Sequence, residues 1–203
     1  MGRLRLREIA WKLGVISLIT ASLLWFSHTI KSVSANTANP VISQKIDGVI
    51  PAYFTKSPRL LGAVTTFRAV GVSYAKYYFN LALPVDAGNS LKQVAIAQRR
   101  GVEKIDFKLE RTEVYLGNNR QRQEKVEISE VTQDQSTGSI LVTLAEAIPP
   151  GVNLTVSLKP RRNPDYDGIY LFGVTAYPQG ENPYGLYLGV ARLDFDRSSD
   201  FFY

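Results

Sequence analysis

The sequence predicts an all-β protein built as a single antiparallel β-sandwich of the Ig-like, Greek-key type, preceded by an N-terminal signal helix. Three observations lead there. Beyond Pro58, apolar residues recur at every second position, the period of a strand with one buried face. Breaker clusters at Gly117-Asn118-Asn119, Ser136-Thr137-Gly138, Pro149-Pro150-Gly151 and Asp167-Gly168 cut those runs short. No long stretch repeats apolar residues at helical spacing, so the strands must bury their faces sheet against sheet.

Taken in chain order, residues 1–35 have the layout of a signal peptide. Arg3, Arg5, Arg7 and Lys12 make a basic start, residues 13–30 are mainly apolar, and Val33-Ser34-Ala35 puts small residues at the −3 and −1 positions of a cleavage site. The apolar run approaches bilayer-spanning length, but hydroxyl residues and His28 dilute it, so cleavage is expected and no stable membrane span after it. The arginines alternate without an Arg-Arg pair, which favours general secretion over twin-arginine export. Residues 36–57 are polar, carry two prolines and no sustained period, and read as a linker or N-terminal arm. Residues 58–203 are the sandwich domain.

Within that domain Tyr77, Phe79, Leu81 and Leu83 share one face of a strand that Pro84 ends. Ile105, Phe107 and Leu109 predict a strand over 104–110, with Lys104, Asp106, Lys108 and Glu110 outward. Ile140, Val142 and Leu144 predict another. Val152, Leu154, Val156 and Leu158 alternate with Asn153, Thr155, Ser157 and Lys159, and Tyr170, Phe172, Val174 and Ala176 line the next. Weaker runs at 63–72, 92–98, 112–116, 126–132 and 187–195 bring the total to about ten strands. A single helical turn is expected near 87–91.

Composition narrows the chemistry. The chain has 203 residues, and removing the leader leaves 168, enough to bury roughly 70% of the unfolded surface without a disulfide. Of 24 basic and 18 acidic residues, five and one lie in the leader, so the domain holds 19 and 17. That near-neutral mixture lacks the basic stripe of a nucleic-acid binder. Both Trp, the only His and the only Met fall within residues 1–35, and there is no Cys. Ser-His-Asp and Cys-His nucleophiles, ordinary zinc sites, blue copper and His-ligated haem are therefore excluded, and no catalytic residue, cofactor or metal is expected.

A resemblance enters through spaced motifs. Tyr77-Tyr78-Phe79 through Leu83-Pro84, Asp86-Ala87-Gly88, Leu91 and Gln98, and then Pro149-Pro150-Gly151, Leu158-Lys159-Pro160 and Arg162-Asn163-Pro164 make up its first part. Gly168-Ile169-Tyr170-Leu171-Phe172-Gly173-Val174, Ala176, Pro178, Gly180, Leu188-Gly189 and Arg192 complete it. Over roughly 58–196 the chain resembles the cyanobacterial family called domain of unknown function 2808. The resemblance implies an exported cyanobacterial protein and brings no activity or catalytic residue with it.

The densest polar stretch, 159–168, lies between two strands, is stiffened by Pro160 and Pro164, and holds the candidate contact residues Arg161, Arg162, Asp165, Tyr166 and Asp167. Its arginines suit the capture of an acidic sugar or a partner's carboxylates; alternatively they pair internally with Asp165 or Asp167. Asp165-Tyr166-Asp167-Gly168 resembles half of a calcium loop, but the following residues supply no further acid ligands. Asp194 and Asp196 share a strand face with Arg192, which explains them without glycoside hydrolysis. Tyr177, Tyr184 and Tyr187 surround a loop long enough to display stacking surfaces for a saccharide or protein. The terminal Phe201-Phe202-Tyr203 resembles the end of a membrane barrel strand, a fold that the outward Lys104, Asp106 and Lys108 contradict.

The expected role is that of an exported, non-catalytic binding or structural module of the periplasm, thylakoid lumen or cell exterior, with an envelope protein or polysaccharide as partner. The alternative is a carbohydrate-binding module that uses Tyr and Arg loop residues.

Overall fold

The computed structural model describes residues 51–118 and 120–197. Two compact units divide the chain, 1–44 and 45–203, and the described residues belong to the second. The signal peptide, most of the 36–57 segment and Phe201-Phe202-Tyr203 lie outside them.

Ten strands build two antiparallel five-stranded sheets. They are β1 (Arg59–Thr65), β2 (Tyr77–Ala82), β3 (Leu91–Arg100), β4 (Glu113–Asn118), β5 (Gln121–Val126), β6 (Ile128–Gln133), β7 (Ile140–Ile148), β8 (Asn153–Leu158), β9 (Gly168–Pro178) and β10 (Leu186–Phe195). The first sheet runs β1-β2-β8-β4-β5 and the second β10-β9-β3-β7-β6, so the predicted antiparallel sandwich is the observed fold.

The alternating residues meet where the two sheets face each other. Phe79, Leu81, Leu154, Val156 and Val114 of the first sheet pack on Val94, Ile96, Val142, Phe172 and Val174 of the second, all at most 1% exposed. Phe172 lies 5.6 Å from Phe79, 6.3 Å from Tyr77 and 6.3 Å from Phe107, edge to face. Such pairs add about 0.5–1.5 kcal/mol each beyond their area burial. Among the described residues no helix is long and apolar enough to cross a membrane.

Several local expectations change, among them the run at 63–72, of which only 63–65 belongs to a strand, β1. Residues 104–110 keep their alternation, with Ile105 and Phe107 buried and Lys104 and Asp106 exposed, yet they form no strand. Only the Phe107–Pro160 bridge pairs there, and a 3-10 turn, Leu109–Arg111, follows. Side-chain alternation needs an extended backbone, not a ladder, and the Gln98 side chain takes the Ile105 N–H at 2.9 Å in place of a neighbouring strand. The run at 126–132 is two strands in different sheets, since Val126 pairs with Val114 and Ile128 with Leu144. Residues 87–91 hold no helical turn: a β-turn over 84–87, closed by Ala87 N–H to Pro84 O at 3.1 Å, precedes them and Leu91 opens β3. Finally, β8 is central, between β2 and β4, and buried on both faces; Thr155 and Ser157 are fully buried.

Residues 51–57 lie against the sandwich. Phe54 joins the core, Thr55 N–H donates to Ala87 O at 2.8 Å, and Ala52 bridges Pro183. Gly88, at a φ of 72°, makes room: a Cβ there would stand 2.2 Å from Thr55 Oγ1.

Candidate functional site

One end of the sandwich is built around a buried amide. Asn163, 2% exposed, sits in the 159–168 loop between β8 and β9. Its Nδ2 donates to the carbonyls of Phe67 at 2.9 Å and Ala69 at 2.8 Å, and its Oδ1 accepts from the Tyr77 hydroxyl at 2.9 Å. Its N–H donates to Val72 O at 2.7 Å, and beside it Gly71 N–H donates to Pro164 O at 2.9 Å. The loop is thereby tied to the 66–76 connection and, through Tyr77, to the aromatic core. Burial, with a contribution from Tyr170, pushes the Tyr77 hydroxyl far above its ordinary range, so it stays a neutral donor.

The candidate residues surround this anchor. Arg162 pairs with Asp165 within the loop, and Asp167 pairs with Arg197 at 3.2 Å. Arg161 is fixed by its backbone, whose N–H donates to Asp106 O at 2.8 Å, and its guanidinium has no ion pair among the described residues. The backbone N–H groups of Asp165 and Tyr166 both donate to Glu103 Oε1, while the Tyr166 ring is 53% exposed. The structure thus brings Arg162 to Asp165 and leaves Arg161 and the Tyr166 ring facing solvent.

Glu103 belongs to a feature that sequence reasoning missed. Where a strand over 104–110 was expected, residues 101–107 form a loop beside a hollow of about 400 Å³. Its floor is Ile96, Ile105, Phe107, Ile140 and Phe172, and Arg99, Arg100 and Lys104 stand at the rim. Gln98 holds the loop by donating to Glu103 O at 2.6 Å and accepting from Ile105 N–H at 2.9 Å. Gly101, at a φ of 157°, is required because a Cβ there would lie 2.3 Å from the Tyr170 ring. The Arg99-Arg100-Gly101 sequence was the available signal, an exposed basic pair before a breaker.

On the other flank of the 159–168 loop, Glu113 accepts from Lys76 Nζ at 2.8 Å and Lys125 Nζ at 3.2 Å. Burial works against its charge, but hydrogen bonds from Lys76, Lys125 and Tyr115 outweigh burial and hold its carboxyl at about 2, against an ordinary 4.5. The bond to Glu113 likewise raises Lys76.

Elsewhere the face expected to be laced by Arg192 divides between two arginines, since Asp196 lies beyond the end of β10. Arg192 grips Asp194 with contacts of 2.7, 2.9 and 3.1 Å, and Arg68 lies 3.3 Å from Asp196. Among the described residues no three His, Cys, Asp or Glu side chains gather as a metal cage. At the opposite end of the sandwich Tyr184 and Tyr187 are exposed, and Tyr184 N–H donates to Ala52 O at 2.8 Å. That bond sets exposed Tyr53, from the segment read as a linker, beside exposed Tyr184.

A family model described as "Protein of unknown function (DUF2808)" matches residues 52–195. No curated protein matches. Among solved structures, the collagen-binding domain of a Staphylococcus aureus adhesin aligns at 11% identity and a TM-score of 0.33, over 68% of this chain and 97% of that one. BslA, a bacterial hydrophobin, aligns at 13% identity and a TM-score of 0.40, over 71% and 97%. The major pilin SpaD of Corynebacterium diphtheriae aligns at 10% and 0.43, over 67% and 34%. These likenesses concern the fold alone.

Replacing Asn163 by Ala strands the Tyr77 hydroxyl and two carbonyls, and is expected to cost about 2–4 kcal/mol, read from the urea midpoint. A loss below about 0.5 kcal/mol would mean that backbone bonds alone hold the loop. For Glu113, the carboxyl is depressed in the fold, so its contribution is complete above the ordinary 4.5 and disappears as pH falls through about 2. Glu113→Gln should therefore cost about 1–2 kcal/mol at pH 7, after screening, and the gap to the parent should close in acid. A gap independent of pH would show that the loss is steric.

Proposed function

From the premise that the chain belongs to the family described as Protein of unknown function (DUF2808), we propose that it is an exported, non-catalytic module of a cyanobacterial envelope or thylakoid lumen, which holds an acidic partner against its 159–168 loop. One observation carries this reading: Arg161 stands exposed and without an ion pair among the described residues, on a loop anchored by the buried Asn163. A guanidinium on a fixed backbone loses less freedom when it meets a carboxylate. The strand-end carboxylates suggest no acid–base pair, since Asp194 and Asp196 are each held by an arginine.

A second reading, carbohydrate binding, draws on the other end of the domain. Tyr53 at 61% exposure and Tyr184 at 65% lie on segments that the Tyr184–Ala52 backbone bond holds together, and their exposed rings suit stacking on a sugar face.

Export should remove the leader after Ala35, so mass spectrometry of the exported protein should find Asn36 first; recovery of a membrane-extracted form that retains Met1 would make the leader an anchor. The double variant Arg161→Ala/Arg162→Ala should fold with each change costing within about 0.5 kcal/mol, because the Arg162–Asp165 pair is exposed. In cross-linking of the tagged protein in its own envelope, the parent should yield a salt-sensitive partner that the double variant loses. Retention of that partner overturns the Arg161 contact, and loss with Tyr184→Ala instead would favour the carbohydrate reading.

A further inference from the structure

Between the Leu109–Arg111 turn and the outer face of the first sheet lies a second hollow of about 400 Å³, and five cations line it: Lys76, Lys108, Arg111, Lys125 and Lys159. Glu110 and Glu113 are the carboxylates in its wall, leaving three positive charges in excess. Lys76 and Lys125 are occupied by Glu113. Lys108, Arg111 and Lys159 make no ion pair among the described residues.

Backbone geometry keeps two of these together. Lys108 N–H donates to Lys159 O at 2.8 Å, and both residues flank the Phe107–Pro160 bridge. Since Phe107 and Pro160 turn inward and are buried, the flanking lysines both fall on the outward side. Like charges held opposite each other destabilise a sheet. Gathered in a recess with protein walls, they focus a positive potential that an entering anion would relieve.

One hydroxyl points the same way. Thr112, in the wall of the hollow, has its Oγ1 shielded from solvent with no hydrogen-bond partner. Buried hydroxyls without partners are uncommon and costly, and an oxyanion is an acceptor that Thr112 could meet. The ammonium groups of Lys108 and Lys159, the guanidinium of Arg111 and a hydroxyl suit a compact, multiply charged oxyanion, which several point charges can surround and an arginine fork can grip. The volume falls in the range of small-molecule sites, with room for more than one anionic group.

We propose that this hollow binds a doubly charged phosphate group, either free or as the monoester of a sugar-sized molecule. The binding is separate from partner capture by Arg161.

Calorimetric titration of the purified full chain tests it, with inorganic phosphate, a hexose phosphate and malonate in parallel at pH 7.5. Saturable binding of phosphate or the hexose phosphate is expected, weakened at least about tenfold in Lys108→Gln/Lys159→Gln and unchanged in Lys56→Gln, whose cation lies at the other end. Tighter binding of the hexose phosphate than of phosphate identifies the ester as the ligand, and equal binding identifies the free anion. If the double variant does not fold, Thr112→Val, which keeps the volume and removes the donor, should weaken binding severalfold on its own. Absence of saturable binding, malonate binding as tight as phosphate, or equal weakening in Lys56→Gln overturns the proposal.

Discussion

A single buried side chain, Asn163, governs how one end of this sandwich is organised. Tyr77 lies at the centre of the aromatic core, within 6.3 Å of Phe107, Phe172 and Phe195, and its hydroxyl cannot reach water. An unpartnered hydroxyl there would cost on the order of 1–3 kcal/mol, so the core requires a polar partner at that spot. Asn163 provides it, and with its remaining groups it binds three carbonyls of the 66–76 connection, at Phe67, Ala69 and Val72. A requirement of the core thus fixes two surface segments at once, and everything the 159–168 loop displays follows from that anchor.

Stability and display are divided within the loop. Asn163 and Pro164 turn inward, while Arg161, Arg162, Asp165, Tyr166 and Asp167 turn outward. The outward residues cost the fold little, since the Arg162–Asp165 and Asp167–Arg197 pairs are exposed and such pairs contribute about 0–1 kcal/mol. On one flank lies a hollow with an apolar floor and a basic rim, and on the other a recess with surplus positive charge. The surplus carries the more informative signal. Glu113 satisfies two lysines, and the fold leaves Lys108 and Lys159 side by side, an arrangement that packing alone does not favour.

The same separation explains why residues 104–110 read as a strand and yet form none. Ile105 and Phe107 face the core and their neighbours face water, the pattern a strand would show. What a strand needs in addition is a partner's backbone, and here Gln98, Lys159 and Arg161 bond the segment piecemeal. A segment bonded in this way can bend, and its bend creates both hollows.

By itself the sequence determined the sandwich class, the inward sets Tyr77-Phe79-Leu81, Ile140-Val142-Leu144 and Tyr170-Phe172-Val174, and the breaker clusters between strands, because burial period and turn chemistry are local properties. It also singled out 159–168 as the polar loop of interest and offered internal pairing of its arginines as one reading, which holds for Arg162. Only the tertiary structure decided that β8 is central and buried on both faces, that residues 126 and 128 belong to different sheets, and that Asn163 is an anchor while Arg161 is exposed with no ion pair among the described residues. Those outcomes depend on which distant backbone and which distant charge arrive alongside, as when Lys159 is brought to Lys108 and Glu103 to Asp165, and no period along the chain records such an encounter.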